Sequence, residues 1–287
     1  MIRELAGSVG NRLVCLGLVL LSACGPATPP AGDVAWASTP TTAAGVESAA
    51  PAPAPTNIAV VATARDEEAA MPAPSATAPI VVDLHHDIIC PWCRIGHERL
   101  VRAIAQFKAE QPGREVIVRH HPFLLEPETP PEGFDLRERL AAKYGADRLD
   151  GMFDNVTRVG AQDGIVFRFD KATRTPDTRP AHALVDAAPV EARERLLRGL
   201  HTAHFEAGRD LGATDVLISI WTEAGLDAAS ARAVLDNPAM RTQVAERVRA
   251  ARVPGMRGVP HFVIGGTSIG GAQPVDTLVA ALRQAAR

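Results

Sequence analysis

Aromatic side chains are scarce in this chain. It has one tyrosine, three tryptophans and eight phenylalanines in 287 residues, so any core must rest on Ala, Leu, Val and Ile. Those residues are plentiful: 46% of the chain is hydrophobic, enough for one large domain or two small ones. Long apolar runs are missing. Outside the extreme N-terminus no run of about 18 apolar residues occurs, which excludes a multi-span helical membrane protein. Charge of one sign is missing too. A formal net charge of -3 gives no electrostatic reason to expect nucleic acid as a partner. Cysteine is the last scarcity, with four residues: Cys15, Cys24, Cys90 and Cys93. Only Cys90 and Cys93 fall in the part that reads as folded. One close pair in a domain of roughly 200 residues is not a disulfide framework.

What is present begins with an address. Arg3 and Arg12 form a basic leader before Leu13 to Leu21 (LVCLGLVLL), an apolar run suited to the h-region of a secretory signal. It ends in Leu21-Ser22-Ala23-Cys24-Gly25. This resembles the bacterial lipoprotein signal, in which small residues precede a cysteine that is lipidated and becomes the mature N-terminus. The resemblance implies a signal peptide over 1–23, lipidation at Cys24 and a domain facing the periplasm, held by a lipid anchor to a bacterial membrane. Gly25 is not the Asp that marks inner-membrane retention, which favours the outer membrane. The competing reading is an ordinary cleaved signal with an incidental cysteine. Cys15 is removed with the signal in either case. Residues 24–79 are rich in Pro, Ala and Thr and cannot bury a core, so they are expected to form a disordered tether. A flexible coil of about 55 residues spans roughly 40 Å.

Residues 80–287 read as the folded domain. Ile80-Val81-Val82-Asp83-Leu84 predicts a strand. After Cys90-Pro91 the apolar positions Ile95, Leu100, Val101, Ile104 and Phe107 predict a helix that stops at Gln111-Pro112-Gly113. Arg114 to Phe123 predicts a second strand, completing a right-handed βαβ unit. From about 134 to 252 helical patterns follow one another, with Leu196, Leu200, Ala203 and Ala207 as one apolar stripe. A strand and turn over Gly258 to Gly266, a short strand over Thr267 to Gly271 and an amphipathic helix from Pro274 to Arg287 close the chain. The fold class is α/β, in the order βαβ, an all-helical insertion, then ββα.

Three chemistries compete for Cys90 and Cys93. As a structural staple, a disulfide closing so short a loop would add about 2 kcal/mol. As a zinc site the pair is incomplete, because no second CxxC exists. His85, His86, His120 and His121 could supplement it, but paired histidines on a strand point to opposite faces, so no metal is expected. Redox chemistry fits best. Cys90 follows a strand and sits where a helix begins, and a helix N-terminus stabilises a thiolate through its partial positive charge and unpaired amides. Cys93 lies one turn in, on the stripe of His97, Leu100, Val101 and Ile104, and should be the more buried thiol. Cys90 is therefore the expected exposed nucleophile and Cys93 the resolver of the mixed disulfide. Pro91 and Trp92, between them, set the poise of the couple.

Cys90-Pro91-Trp92-Cys93 after Asp87-Ile88-Ile89, followed by Arg94-Ile95-Gly96, resembles the DsbA-like thioredoxin-fold family, and within it the FrnE-type dithiol–disulfide isomerases. The likeness continues through Arg179-Pro180-Ala181-His182, through Leu200 to Phe205 and Gly208 to Gly212, and through Gly258-Val259-Pro260 and Gly270 to Pro274. It covers about 80 to 285. It implies a thioredoxin fold with a helical insertion and a cis Pro260 facing the cysteine pair, where the Val259 backbone would pair with an extended substrate. A proline merely starting an edge strand is the plain alternative. It implies cysteine-containing polypeptides as substrates, a redox partner that recycles the dithiol, and no cofactor beyond the cysteine pair, with glutathione as a candidate co-substrate.

Four residues are candidate modulators. His261 stands where an apolar residue often follows the proline and reads as a satisfied strand residue. His97 stands where relatives often carry Lys and reads as a partly buried helix residue. Asp83 and Asp87 are candidates for proton handling near the buried cysteine, against the plainer reading of solvated strand-end carboxylates. The rival enzyme is a glutathione-dependent isomerase or transferase, of the 2-hydroxychromene-2-carboxylate isomerase or kappa-class type, which typically places Ser at the active position. The rivals outside enzymology are a non-catalytic, partner-binding lipoprotein and a metal chaperone. Electron direction depends on the potential and the recycling partner. The extracytoplasmic address favours oxidase or isomerase over reductase.

Overall fold

The computed structural model describes residues 78–287; the expectations about the signal peptide, Cys24 and the tether lie outside the described residues. β1 (Ile80–His86) alternates in register with β2 (Val116–Pro122), parallel from Ile80↔Val116 to His86↔Pro122. The crossover between them is α1 (Pro91–Glu110). Proline suits the first position of a helix because its missing N–H would be unpaired there anyway. The helix ends where Gln111 donates its N–H to the Phe107 carbonyl, before Gly113 at φ 88°.

The next segment is mostly helical. It holds β3 (Phe134–Asp135), α2 (Leu136–Tyr144), a 3-10 turn at Ala146–Arg148, α3 (Leu149–Gln162) and β4 (Arg174–Thr175). α4 (Arg179–Ala187), α5 (Val190–Phe205), α6 (Thr214–Glu223), α7 (Ala228–Leu235) and α8 (Met240–Ala250) follow. The insertion is therefore not all-helical. β3 and β4 form a two-residue antiparallel ribbon, Phe134↔Thr175 and Asp135↔Arg174, too short for alternation to reveal. The stripe on α5 also ends sooner than the spacing suggests: the helix stops at Phe205, and Ala207 is exposed.

β5 (His261–Ile264), β6 (Thr267–Gly270) and α9 (Val275–Ala285) complete the chain. The main sheet runs β2-β1-β5-β6, with β5 antiparallel to both β1 and β6. This is the thioredoxin arrangement with an insertion between β2 and β5. One face of the sheet is apolar: Ile80, Val82, Leu84, Phe262 and Ile264 pack against Leu100, Ala103 and Phe107 of α1 and Leu278 and Leu282 of α9. The insertion has its own core, built from Leu184, Leu196, Leu200, Leu217 and Trp221, which Ile88 enters from the loop after β1. No helix among the described residues is long and apolar enough to cross a membrane.

Candidate functional site

The loop from β1 to α1 turns tightly. Cys90 donates its N–H to the Asp87 carbonyl at 3.1 Å and then caps α1. It takes an extended conformation (φ -85°, ψ 114°), and its Sγ accepts the Cys93 N–H at 3.4 Å. A sulfur at an N-cap thus meets one of the amides that the helix itself leaves unpaired. Pro91 is the first helical residue, and Trp92 packs against the cluster of Ile95, Val156, Ile165, Phe167 and Phe205.

The two thiols differ in burial, though less than expected. Cys93 is fully shielded, but Cys90 is only 4% exposed, so it is not an exposed nucleophile. Its cover comes from far along the chain: the Cys90 thiol donates to the Val259 carbonyl, Sγ···O 3.8 Å. Burial pushes the Cys93 thiol well above its usual range, helped by the side-chain hydrogen bond with Cys90 and by the Cys90 charge. The Asp87 backbone pulls the other way, and the Asp87 charge adds to the upward push.

Val259-Pro260 is a cis peptide. Pro260 is buried and precedes β5, which is an inner strand, so it does not start a sheet edge. Its carbonyl accepts the Gly271 N–H at 2.8 Å. α1 approaches so closely that a Cβ on Gly96 would lie 2.7 Å from Pro260 Cγ.

The modulators separate. Asp87 is fully buried, not solvated. Its Oδ2 accepts the Leu125 N–H at 2.8 Å, which holds the carboxylate inward, and its Oδ1 lies 3.4 Å from His182 Nε2. Asp83 is partly exposed and pairs instead with His121, Oδ1···Nε2 2.7 Å. His97 is more deeply buried than expected and meets Glu194, Nε2···Oε2 2.8 Å. His261 is a satisfied strand residue, Nε2 to Ser268 Oγ at 2.7 Å, and burial lowers its pKa.

Two features of the site were not legible as such in the sequence. Tyr144, at the end of α2, lies within electrostatic reach of the thiols: burial first, then the Glu126 and Cys90 charges, raise its pKa. The second is a group of inward-facing histidines from five elements. His86 of β1 and His120 of β2 lie Nε2 to Nδ1 at 3.4 Å. His182 of α4, His97 of α1 and His201 of α5 stand around them. All nine histidines of the chain lie between His85 and His261, the one hint that composition offers.

Comparison with known proteins shows the family and the fold. The DSBA-like thioredoxin domain family matches residues 81–283. A probable DsbA oxidoreductase from Streptomyces coelicolor is 31% identical, with 72% of this chain and 89% of that one covered at a TM-score of 0.64. Two more distant structures share the fold. One is the cytosolic disulfide reductase DsbM from Pseudomonas aeruginosa, solved with GSH (20% identity, 71% and 98% covered, TM-score 0.50). The other is a 2-hydroxychromene-2-carboxylate isomerase (17% identity, 71% and 95% covered, TM-score 0.52).

Proposed function

The chain belongs to the DsbA-like thioredoxin family, and on that premise we propose that it is a thiol–disulfide oxidoreductase acting on protein thiols through Cys90 and Cys93. The observation that carries the reading is the asymmetry of the pair: Cys90 Sγ meets a helix-start amide beside the Val259-Pro260 turn, while Cys93 is sealed. Cys90 thiolate attacks a substrate disulfide, forming a mixed disulfide and releasing one substrate thiolate. Cys93 then attacks Cys90 Sγ, forming the internal disulfide and releasing the second. The reverse sequence oxidises a substrate dithiol. An extended substrate displaces the thiol from the Val259 carbonyl and pairs with that backbone, which reconciles a nucleophile only 4% exposed with a polypeptide substrate.

The test is trapping. Cys93→Ser should accumulate a mixed disulfide between Cys90 and a cysteinyl peptide, seen as an intact-mass adduct; Cys90→Ser should form none and lose exchange activity. Refolding of reduced RNase and reduction of insulin, beside a measured potential, assign the direction. An adduct absent from Cys93→Ser, with no exchange in the native chain, sinks the reading. The FrnE-type assignment and glutathione as co-substrate belong to the same proposal, and DsbM solved with GSH supports the latter. The second reading, a glutathione-dependent isomerase, draws on the fold likeness to the chromene-carboxylate isomerase. The resolving Cys93 counts against it, and conjugation or isomerisation surviving Cys93→Ala would favour it.

The tether is a separate proposal. Cys24 carries a lipid anchor, residues 25–79 hold the domain off the membrane, and the domain faces the periplasm. Lipid labelling lost in Cys24→Ala, with release of the protein from membranes, is the expected result.

A further inference from the structure

In the resolving step Cys93 must lose a proton, and it has no solvent to give it to. That step forms the bond between the two Sγ atoms and breaks the bond from Cys90 to the substrate sulfur, which leaves as a thiolate. The Cys93 proton has to go elsewhere. Cys93 is fully shielded, and the carboxylate beside it, Asp87, is fully shielded as well. The Asp87 charge bears on the Cys93 thiol, but a base shielded from water cannot by itself return the proton to it.

We propose that Asp87, His182, His86, His120, His97 and Glu194 form a proton path from Cys93 to bulk solvent, through the seam between the sheet and the helical insertion. The proposal rests on the thiol–disulfide reading above. The path's inner end is Asp87, whose charge acts on the Cys93 thiol. Its outer end is the Glu194 carboxylate, which is 46% exposed and lies 3.4 Å from Arg198. Three of its steps are short: Asp87 Oδ1 to His182 Nε2 at 3.4 Å, His86 Nε2 to His120 Nδ1 at 3.4 Å, and His97 Nε2 to Glu194 Oε2 at 2.8 Å. Two are wider, with ring centroids 5.4 Å apart for His182 and His86 and 6.4 Å for His120 and His97. A ring swing or one bridging water closes each of these.

The orphaned atoms lie along this path. Asp87 Oδ1, His182 Nε2 and His86 Nδ1 are buried without a hydrogen bond of ordinary geometry, as is Nε2 of the adjoining His201. Buried polar atoms are nearly always satisfied, so several in one cluster mark a place where something besides packing is served. The imidazoles suit the task. Burial, and then neighbouring histidines, keep His86 well below its usual pKa; burial and then His97 bring His120 to about 3. Both are neutral near pH 7. A neutral imidazole accepts on one nitrogen and donates from the other, so it passes a proton without holding charge. Of the charged groups facing the path, Arg193 beside His120 and Arg94 beside His201 reinforce neutrality, while Glu194 pulls His120 the other way.

Rapid-quench single turnover with a cysteinyl peptide disulfide tests this in the full chain, reading formation and resolution of the Cys90 mixed disulfide separately. Glu194→Gln, on a half-exposed carboxylate, and His120→Gln should each slow resolution about ten-fold or more. The adduct should accumulate, with a larger solvent deuterium isotope effect on that step alone. Formation needs no Cys93 proton and should keep its rate, a split that a merely structural role would not produce. Resolution at the native rate and isotope effect in both variants overturns the path. Slowing in His120→Gln alone overturns it as drawn, because it must end at Glu194. If the native chain exchanges no disulfides, the functional reading falls and the path with it; native exchange with unaffected variants removes the path alone.

Discussion

Gly96 shows how little room separates the cysteine helix from the proline turn. A methyl group there meets Pro260 Cγ at 2.7 Å and Phe262 Cζ at 3.3 Å, and neither the ring of a proline nor a fully buried phenylalanine can move aside freely. Gly96→Ala should therefore cost about 1–3 kcal/mol by overpacking. It should also slow disulfide exchange, since the Val259 carbonyl shifts away from Cys90; denaturant midpoints and exchange rates check the two effects. Tyr144 offers a cleaner electrostatic probe because it is the only tyrosine in the chain. Burial, Glu126 and the Cys90 charge all hold its phenol up, so tyrosinate absorbance should appear above the usual pH of about 10. Removing the Cys90 charge in Cys90→Ser should move that titration downward; an unmoved curve would refute the coupling. At this scale the placement of Cys90 and Cys93 was legible, because spacing alone puts one thiol at a helix start and the other on its inner stripe. The burial of Cys90 was not, because its cover, Val259, lies 169 residues away. Nor was that of Asp87, whose partners Leu125 and His182 only the tertiary fold brings near.

Among the elements, those whose pattern runs for several residues were readable: β1, α1 and α9 appear where alternation and helical spacing put them. β2 is shorter than expected, since Arg114 and Glu115 belong to the turn leading into it. α5 stops at Phe205 because the chain must reach Gly208, at φ 68°, where a Cβ would meet the Lys171 carbonyl oxygen at 2.5 Å. Such an ending is dictated by a neighbouring loop, and no local pattern announces it. The tie between α1 and α3 is of the same kind. Asp163, 9% exposed at the end of α3, accepts from Arg99 Nε at 2.8 Å and lies 3.4 Å from Arg102 Nη1. Asp163→Ala leaves the largely buried Arg99 with the Ala272 carbonyl as its remaining partner. Breaking a buried pair from one side costs about 3 kcal/mol or more. The expected result is a lower denaturant midpoint and faster amide exchange at the C-terminal end of α3. A loss under about 0.5 kcal/mol, as for an ordinary surface pair, would contradict it.

Among the described residues the two largest apolar cores lie under the sheet and in the insertion, with a histidine seam beside them. Composition pointed to the cores and not to the seam, because its members come from β1, β2, α1, α4 and α5 and only the tertiary fold brings them together. The seam makes the fold's stability depend on pH in a direction that can be worked out. Burial lowers the pKa of His86 and His201 well below 6.5, of His204 to about 4 and of His120 to about 3. In the unfolded chain each returns to about 6.5. Above pH 6.5 neither state binds these protons, and the seam's contribution is complete. As the pH falls from 6.5 towards 4, the unfolded chain takes up protons that the folded chain refuses, so stability drops throughout that window. With four imidazoles shifted, the loss between pH 7 and pH 4 should be on the order of 3 kcal/mol or more. Denaturant titrations at intervals across this range measure it directly. His120→Gln should flatten the slope, because one of the refused protons is then absent from both states. A stability that is level from pH 7 to pH 4 would mean that the histidines titrate as they do in water and that the seam is open to solvent.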